Sequence, residues 1–190
     1  MTLLTTKKGR EITKRVTLKN VKLGFGHDLC GAYADFSLDG KKMGYFNDDG
    51  WGGETDIVYV SDKHQKEFEK FLKDNNVAQI MFDNGWDFME EVEKINFHSQ
   101  AEEVINSAIN LKEEEKAEKK IMKACEKGIY YKTANGYKGV SFRLSLKEIV
   151  EKYGEQGRLH IQNSYNQIKG ELKNGEHIVN KNLESLGIRI

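Results

Sequence analysis

The chain has 190 residues, with 30 basic and 30 acidic side chains, 38 % hydrophobic residues, two cysteines and no proline. That length suits one full domain or two small ones, and the charge content predicts a core beneath a heavily charged surface. No run of about 18 apolar residues occurs, which excludes a membrane-spanning helix. Cys30 and Cys125, without CxxC spacing, read as reduced thiols and not as a disulfide framework or a zinc site.

The first residues, MTLLTTKKGREITKR, lack the apolar centre of a secretory signal, so a cytoplasmic protein is expected. VTLKNVKLG (16–24) alternates as a strand does. CGAYADFSL (30–38) and KKMGYFN (41–47) flank Asp39-Gly40, a strong hairpin signal because both turn positions need positive φ. TDIVYV (55–60) follows a Gly50–Gly53 loop and completes a predicted antiparallel meander over 16–60. Ser61 then caps a helix that places Phe68, Phe71 and Leu72 on one face and ends at Asn75-Asn76. VAQIMF (77–82) fits either a short strand or a buried helical turn. Helical periodicity is expected from Trp86 through Phe88, Met89, Val92 and Ile95, with Trp86 in the core. It restarts after Ser99 with Val104, Ile105, Ala108, Ile109 and Leu111.

KEEEKAEKK (112–120) has strong helix formers and no apolar face, the mark of a solvent-bridging helix. A domain boundary is placed there: an acidic α+β domain over 1–111, a linking helix over 112–127 and a basic hairpin–helix domain over 128–190. GIYYKT (128–133) and YKGVSFRL (137–144) flank Ala134-Asn135-Gly136, read as a second hairpin with Asn-Gly at its turn. Ser145 and Glu148 form a capping box for a helix that reaches Tyr153 and stops at Gly154, with another helix beyond. The expected fold class is therefore α+β: an N-terminal antiparallel meander with helices, linked by a long helix to a small hairpin–helix domain.

The zero net charge is a cancellation. Residues 1–27 carry seven bases and one acid, 28–118 nine bases and twenty-two acids, and 119–170 eleven bases and four acids. Such blocks steer different partners.

Two glycine-rich acidic stretches stand out, YFNDDGWGGETD (45–56) and MFDNGWDFMEE (81–91). Neither fits a helix–loop–helix calcium site, since Tyr45 and Ile80 fall where the first acidic ligand belongs. A cation held by Asp48, Asp49, Glu54 and Asp56 stays open, as does a glycosidase-like pair of carboxylates, which needs a spacing that sequence does not display. The docking reading treats Trp51 as an aromatic anchor rimmed by Asp48, Asp49, Glu54 and Asp56, because tryptophan is over-represented among interface hot spots. The bland reading folds Trp51 back onto the sheet.

GFGHDLCG (24–31) lacks the G-x-G-x-x-G spacing and precedes a strand, so the dinucleotide reading is rejected; His27 and Cys30 are near neighbours with no visible third group. No metal-ligand spacing links the five histidines, and no cofactor is expected. In the C-terminal third, Tyr130, Tyr131, Lys132, Tyr137, Lys138, Phe142 and Arg143 interleave aromatics with bases, as a single-strand stacking surface would. Residues 146–168 loosely resemble a helix-turn-helix, with Lys147 and Arg158 as further nucleic-acid contacts, though Glu155 stands where that motif wants an apolar residue. A third alternative is an enzyme or sponge for a signalling nucleotide that stacks its base between Trp51 and Trp86.

YADFSLDGKKMGYFNDDGWGGETD (33–56) resembles a pattern in small proteins encoded by phages and other mobile elements, and GIYYKTANGYKGVSFRL with EKYGEQG (128–157) is similar to a second block in them. This chain departs from the pattern at Trp51, where a small polar residue or histidine is expected. The resemblance implies a viral accessory protein in the cytoplasm of a bacterial host, with anti-defence as a leading role. The expected function is thus non-catalytic inhibition of a host defence protein, for instance an anti-CRISPR-like protein acting on an RNA-guided nuclease. The alternative is a nucleic-acid-binding regulator working through the C-terminal third.

Overall fold

The computed structural model describes residues 3–25, 29–52 and 54–190. The chain divides into two compact units, Met1–Glu113 and Glu114–Ile190.

The first unit is built on a four-stranded antiparallel sheet in the order β1 (Val16–Phe25), β2 (Gly31–Leu38), β3 (Lys41–Asp48), β4 (Asp56–Tyr59). Asp39 and Gly40 turn β2 into β3 with φ of 49° and 83°, the twist-matched hairpin turn that the Asp-Gly pair predicts. Period-two alternation sends Ala32, Ala34, Phe36 and Leu38 to one face, where they meet Met43 and Phe46. Phe68, Phe71 and Leu72 of α2 (Asp62–Asp74) close over that face, with Phe36 and Phe68 edge to face at 5.3 Å. Val104, Ile105, Ala108 and Ile109 of α4 (Phe97–Ala124) join the same core.

A short helix, α1 (Lys7–Lys14), precedes the sheet, in a stretch with no clear apolar periodicity. Gly9 within it touches the chain so closely that a Cβ there would lie 1.9 Å from the Leu3 carbonyl oxygen. The Leu3 amide donates to Glu103 Oε1 at 2.9 Å and to Ser107 Oγ at 3.2 Å on α4. The basic N-terminal segment thus belongs to the acidic unit. Residues 1–113 carry 15 bases and 20 acids, a net charge of −5, against 15 and 10, or +5, for 114–190. The steep charge block read from the sequence is softened by folding.

Between α2 and α4 the expected helix from Trp86 to Ile95 does not form. Helix α3 (Val77–Met81) resolves the strand-or-helix ambiguity, and beyond it short turns at Asp87–Met89 and Val92–Lys94 replace the regular helix. Gly85 at φ 109° and Glu90 at φ 63° break the spiral. Trp86 is half-buried against the core and Phe88 is exposed.

In the second unit, β5 (Gly128–Thr133) pairs with β6 (Gly136–Ser141) on one side and with β7 (His177–Ile178) on the other, all antiparallel. The β5–β6 turn is shifted by one residue from the sequence reading. Thr133 pairs with Gly136, so Ala134-Asn135 form the loop, and Thr133 Oγ1 accepts from the Asn135 amide and donates to the Gly136 carbonyl. Helix α5 (Leu146–Glu171) opens with the Ser145–Glu148 capping box and is broken at Gly154, φ 54°. Ile149, Ile161, Tyr165 and Ile168 pack with Ile129, Leu183 and Ile188 as a second core. Among the described residues, no helix is long and apolar enough to cross a membrane.

Candidate docking loop

The loop from Asp48 to Asp56 joins β3 to β4. Its entry is two successive turns closed by side chains: Asp48 Oδ1 accepts from the Gly50 amide and Asp49 Oδ1 from the Trp51 amide, each at 2.9 Å. Gly50 takes φ 74° and is buried against the end of the sheet. A Cβ there would lie 2.7 Å from the Gly31 nitrogen and 3.0 Å from the Phe25 carbonyl oxygen. Glycine is therefore required twice, by conformation and by space.

The exit of the loop is fixed by a different contact. Thr55 is buried, and its Oγ1 hydrogen-bonds His98 Nε2 at 3.3 Å in the first turn of α4; Glu54 Oε1 lies 3.9 Å from the same nitrogen. Asp56 then enters the ladder opposite Asn47. Sequence reasoning missed both Thr55 and His98 as loop anchors, since a contact spanning 43 residues leaves no local signal. Gly53 lies outside the described residues.

Held at both ends, the loop presents Trp51 with 69 % of its surface exposed. The tryptophan does not fold back onto the sheet. Gly50 packs on Phe25 and Gly31, the facing ends of β1 and β2, and Leu29, two residues before Gly31, is 71 % exposed. Asp49, Glu54 and Asp56 on the same loop are exposed, and Asp48 is half-buried.

Other sequence candidates fall in different places. His27 lies outside the described residues, so the His27–Cys30 pairing does too; Cys30 is exposed and Cys125 buried, with burial pushing the Cys125 thiol pKa up. Trp86 lies against Phe88, the rings tilted at 32° with centres 5.5 Å apart. A cavity of about 600 Å³ in this unit is lined by Leu72, Val77, Ile95 and Phe97, and by neither tryptophan. No group of three His, Cys, Asp or Glu side chains among the described residues is placed to hold a metal ion.

The C-terminal candidates are dispersed. Tyr130 and Lys132 share one face of the small sheet. Lys138 stands opposite Tyr131 on the other. Arg143 lines a cavity of about 370 Å³ with Phe142, Tyr153 and His160. On α5, Lys147 pairs with Glu151 at 3.6 Å and Arg158 with Glu155 at 3.1 Å. Residues 146–171 form the broken helix, with Tyr165 and Ile168 in the core.

Comparison with protein-family models, with curated proteins and with solved structures finds no match to this chain.

Proposed function

We propose that the protein is a non-catalytic binding protein of phage or mobile-element origin that docks on a host defence protein through the Trp51 loop. The observation that carries this reading is a tryptophan 69 % exposed on a loop fixed at both ends. An exposed indole offers a large aromatic contact surface, and a partner that covers it gains roughly 150–250 Å² of aromatic contact. Because side-chain hydrogen bonds already close the Asp48–Trp51 turns, that part of the loop needs little ordering on binding. The rim of Asp49, Glu54 and Asp56 selects a basic partner surface.

A nucleic-acid channel of an RNA-guided nuclease is such a surface. There, carboxylates take the place of phosphates and compete with the natural substrate by charge. The test replaces Asp49→Asn, Glu54→Gln and Asp56→Asn together, which preserves the turn-closing acceptor of residue 49. Binding to the host protein captured by the wild-type chain is then measured at low and moderate salt, with and without competing nucleic acid. The account expects weaker binding, a flatter salt dependence and competition that is lost. Unchanged affinity and unchanged salt dependence would remove the acidic-rim mechanism.

A further inference from the structure

In the sheet of the second unit, β5 turns Ile129 and Tyr131 to the core, while Val140 and Lys138 opposite them on β6 are exposed. Ile129 is fully buried and Tyr131 packs beside it, which sets the inward parity. The outward parity therefore holds Gly128, Tyr130 and Lys132 on β5, Tyr137, Gly139 and Ser141 on β6, and His177 on β7. Lys132 sits between Tyr137 and His177 in one cross-strand row.

The two glycines explain how Tyr130 lies. A Cβ on Gly139 would come within 2.8 Å of Tyr130 Cδ1, and one on Gly128 within 2.8 Å of Tyr130 Cε2. The ring thus lies down over both glycines, with its hydroxyl bonded to Ser141 Oγ. Tyr137, opposite Lys132, is the diagonal neighbour of Tyr130 with its backbone about 7–8 Å away by sheet geometry, and both tyrosines are half-exposed. Lys132, Ser141, Gly139 and His177 are all exposed, and no acid occurs on these rows.

The larger sheet also carries an outward pair of stacked tyrosines, Tyr33 and Tyr45 at 5.9 Å. Its outward rows, however, include Asp35 and Asp56, which a polyanion would meet. The small sheet lacks that obstacle and belongs to the unit with net charge +5.

We propose that the outward face of the β6–β5–β7 sheet binds single-stranded nucleic acid, stacking one base on Tyr130 and one on Tyr137 while Lys132 meets the backbone phosphate between them. A flat aromatic pair flanked by a cation and free of carboxylates is the chemistry that holds unpaired bases without reading their sequence. Duplex hides those base faces and does not fit. The surface is distinct from the Trp51 loop, and its success or failure leaves that reading untouched.

The test is fluorescence anisotropy of a labelled twelve-nucleotide oligo-dT with the full chain, across a salt series. Wild type binds the single strand and prefers it to a duplex of the same length. Tyr137→Ala weakens binding about 5-fold or more, and Tyr137→Phe restores it, because stacking needs the ring alone. Lys132→Ala lowers the slope of log affinity against log salt by about 0.7, the signature of one lost phosphate contact. Lys152→Ala, an equal loss of charge on α5, leaves the single-strand preference and the stacking effect intact. Absence of binding at low salt overturns the proposal. So does equal affinity for duplex, or a Tyr137→Ala chain that binds as wild type does.

Discussion

Asn180→Ala is expected to strip the second unit of a large part of its stability. The Asn180 side chain is 8 % exposed, and its Nδ2 donates to the carbonyls of Gly128 at 2.8 Å and Cys125 at 3.2 Å. Its Oδ1 accepts from the Tyr130 amide at 2.8 Å. Alanine would leave the Tyr130 amide without this acceptor and the Gly128 carbonyl without this donor, whereas Cys125 keeps a bond from Asn182 Nδ2 at 3.0 Å. Two buried polar groups losing their partners cost about 1–3 kcal/mol each, so a loss of about 2–6 kcal/mol is expected. A unit of this size holds only about 4–11 kcal/mol in all. The tail that carries β7 would come away from β5 and take His177 off the outward face.

Both tryptophans, Trp51 and Trp86, lie in the first unit, which makes the assay selective. Urea unfolding followed by tryptophan fluorescence reports that unit, and far-ultraviolet circular dichroism reports both. The variant should lose a circular-dichroism component at lower urea while its fluorescence midpoint stays near wild type. A dichroism transition shifted by less than about 1 kcal/mol would refute the accounting of those hydrogen bonds.

Two further perturbations probe the first unit. Gly50→Ala forces a side chain into φ 74° and against the Gly31 and Phe25 backbone, so thermal unfolding should show a loss of about 2 kcal/mol or more, with partner binding reduced through the displaced loop. Glu103 has its pKa raised from 4.5 by burial, opposed by the bonds from the Leu3 amide and Ser107. Its unfolded form ionises first, so the stability it lends is present below the unfolded value and falls as pH rises through the folded one. Glu103→Gln, which keeps the acceptor for Leu3, should therefore gain on wild type in melting temperature from pH 4 toward pH 7; a constant difference across that range would contradict the assignment.

Local chemistry carried much of the fold. Asp39-Gly40 sets a turn by its own dihedral preference, Ser145 and Glu148 cap a helix within one turn, and the β2 alternation names its own inward face. Where the sequence misled, a competing local or distant term decided. The apolar spacing of Trp86, Met89 and Ile95 suits a helix, yet with Gly85 and Glu90 at positive φ two separate short turns form instead. Thr133 captured the Asn135 amide and moved the second hairpin turn back by one residue. The two-residue strand at His177 depends on Asn180 gripping β5 some fifty residues away, which no short window contains.

The candidate site divides in the same way. Asp48, Asp49 and Gly50 announce a tight loop in the sequence, because their turn bonds reach only two residues. Whether Trp51 points outward or inward is not local: it follows from Gly50 seating on Gly31 and from Thr55 being held by His98. The charge blocks were legible as numbers but not as surfaces, since β1 folds its lysines and Arg15 into the acidic unit, where Arg15 pairs with Asp39.

The most direct test of the docking loop is the affinity of wild-type and Trp51→Ala chains for the host protein that the wild type retains, measured alongside their melting temperatures. The account predicts melting temperatures that agree, because the indole is exposed, and a loss of affinity of roughly 30-fold or more, the size of a hot-spot deletion. Equal affinity in the two chains, with the fold intact in both, would contradict it.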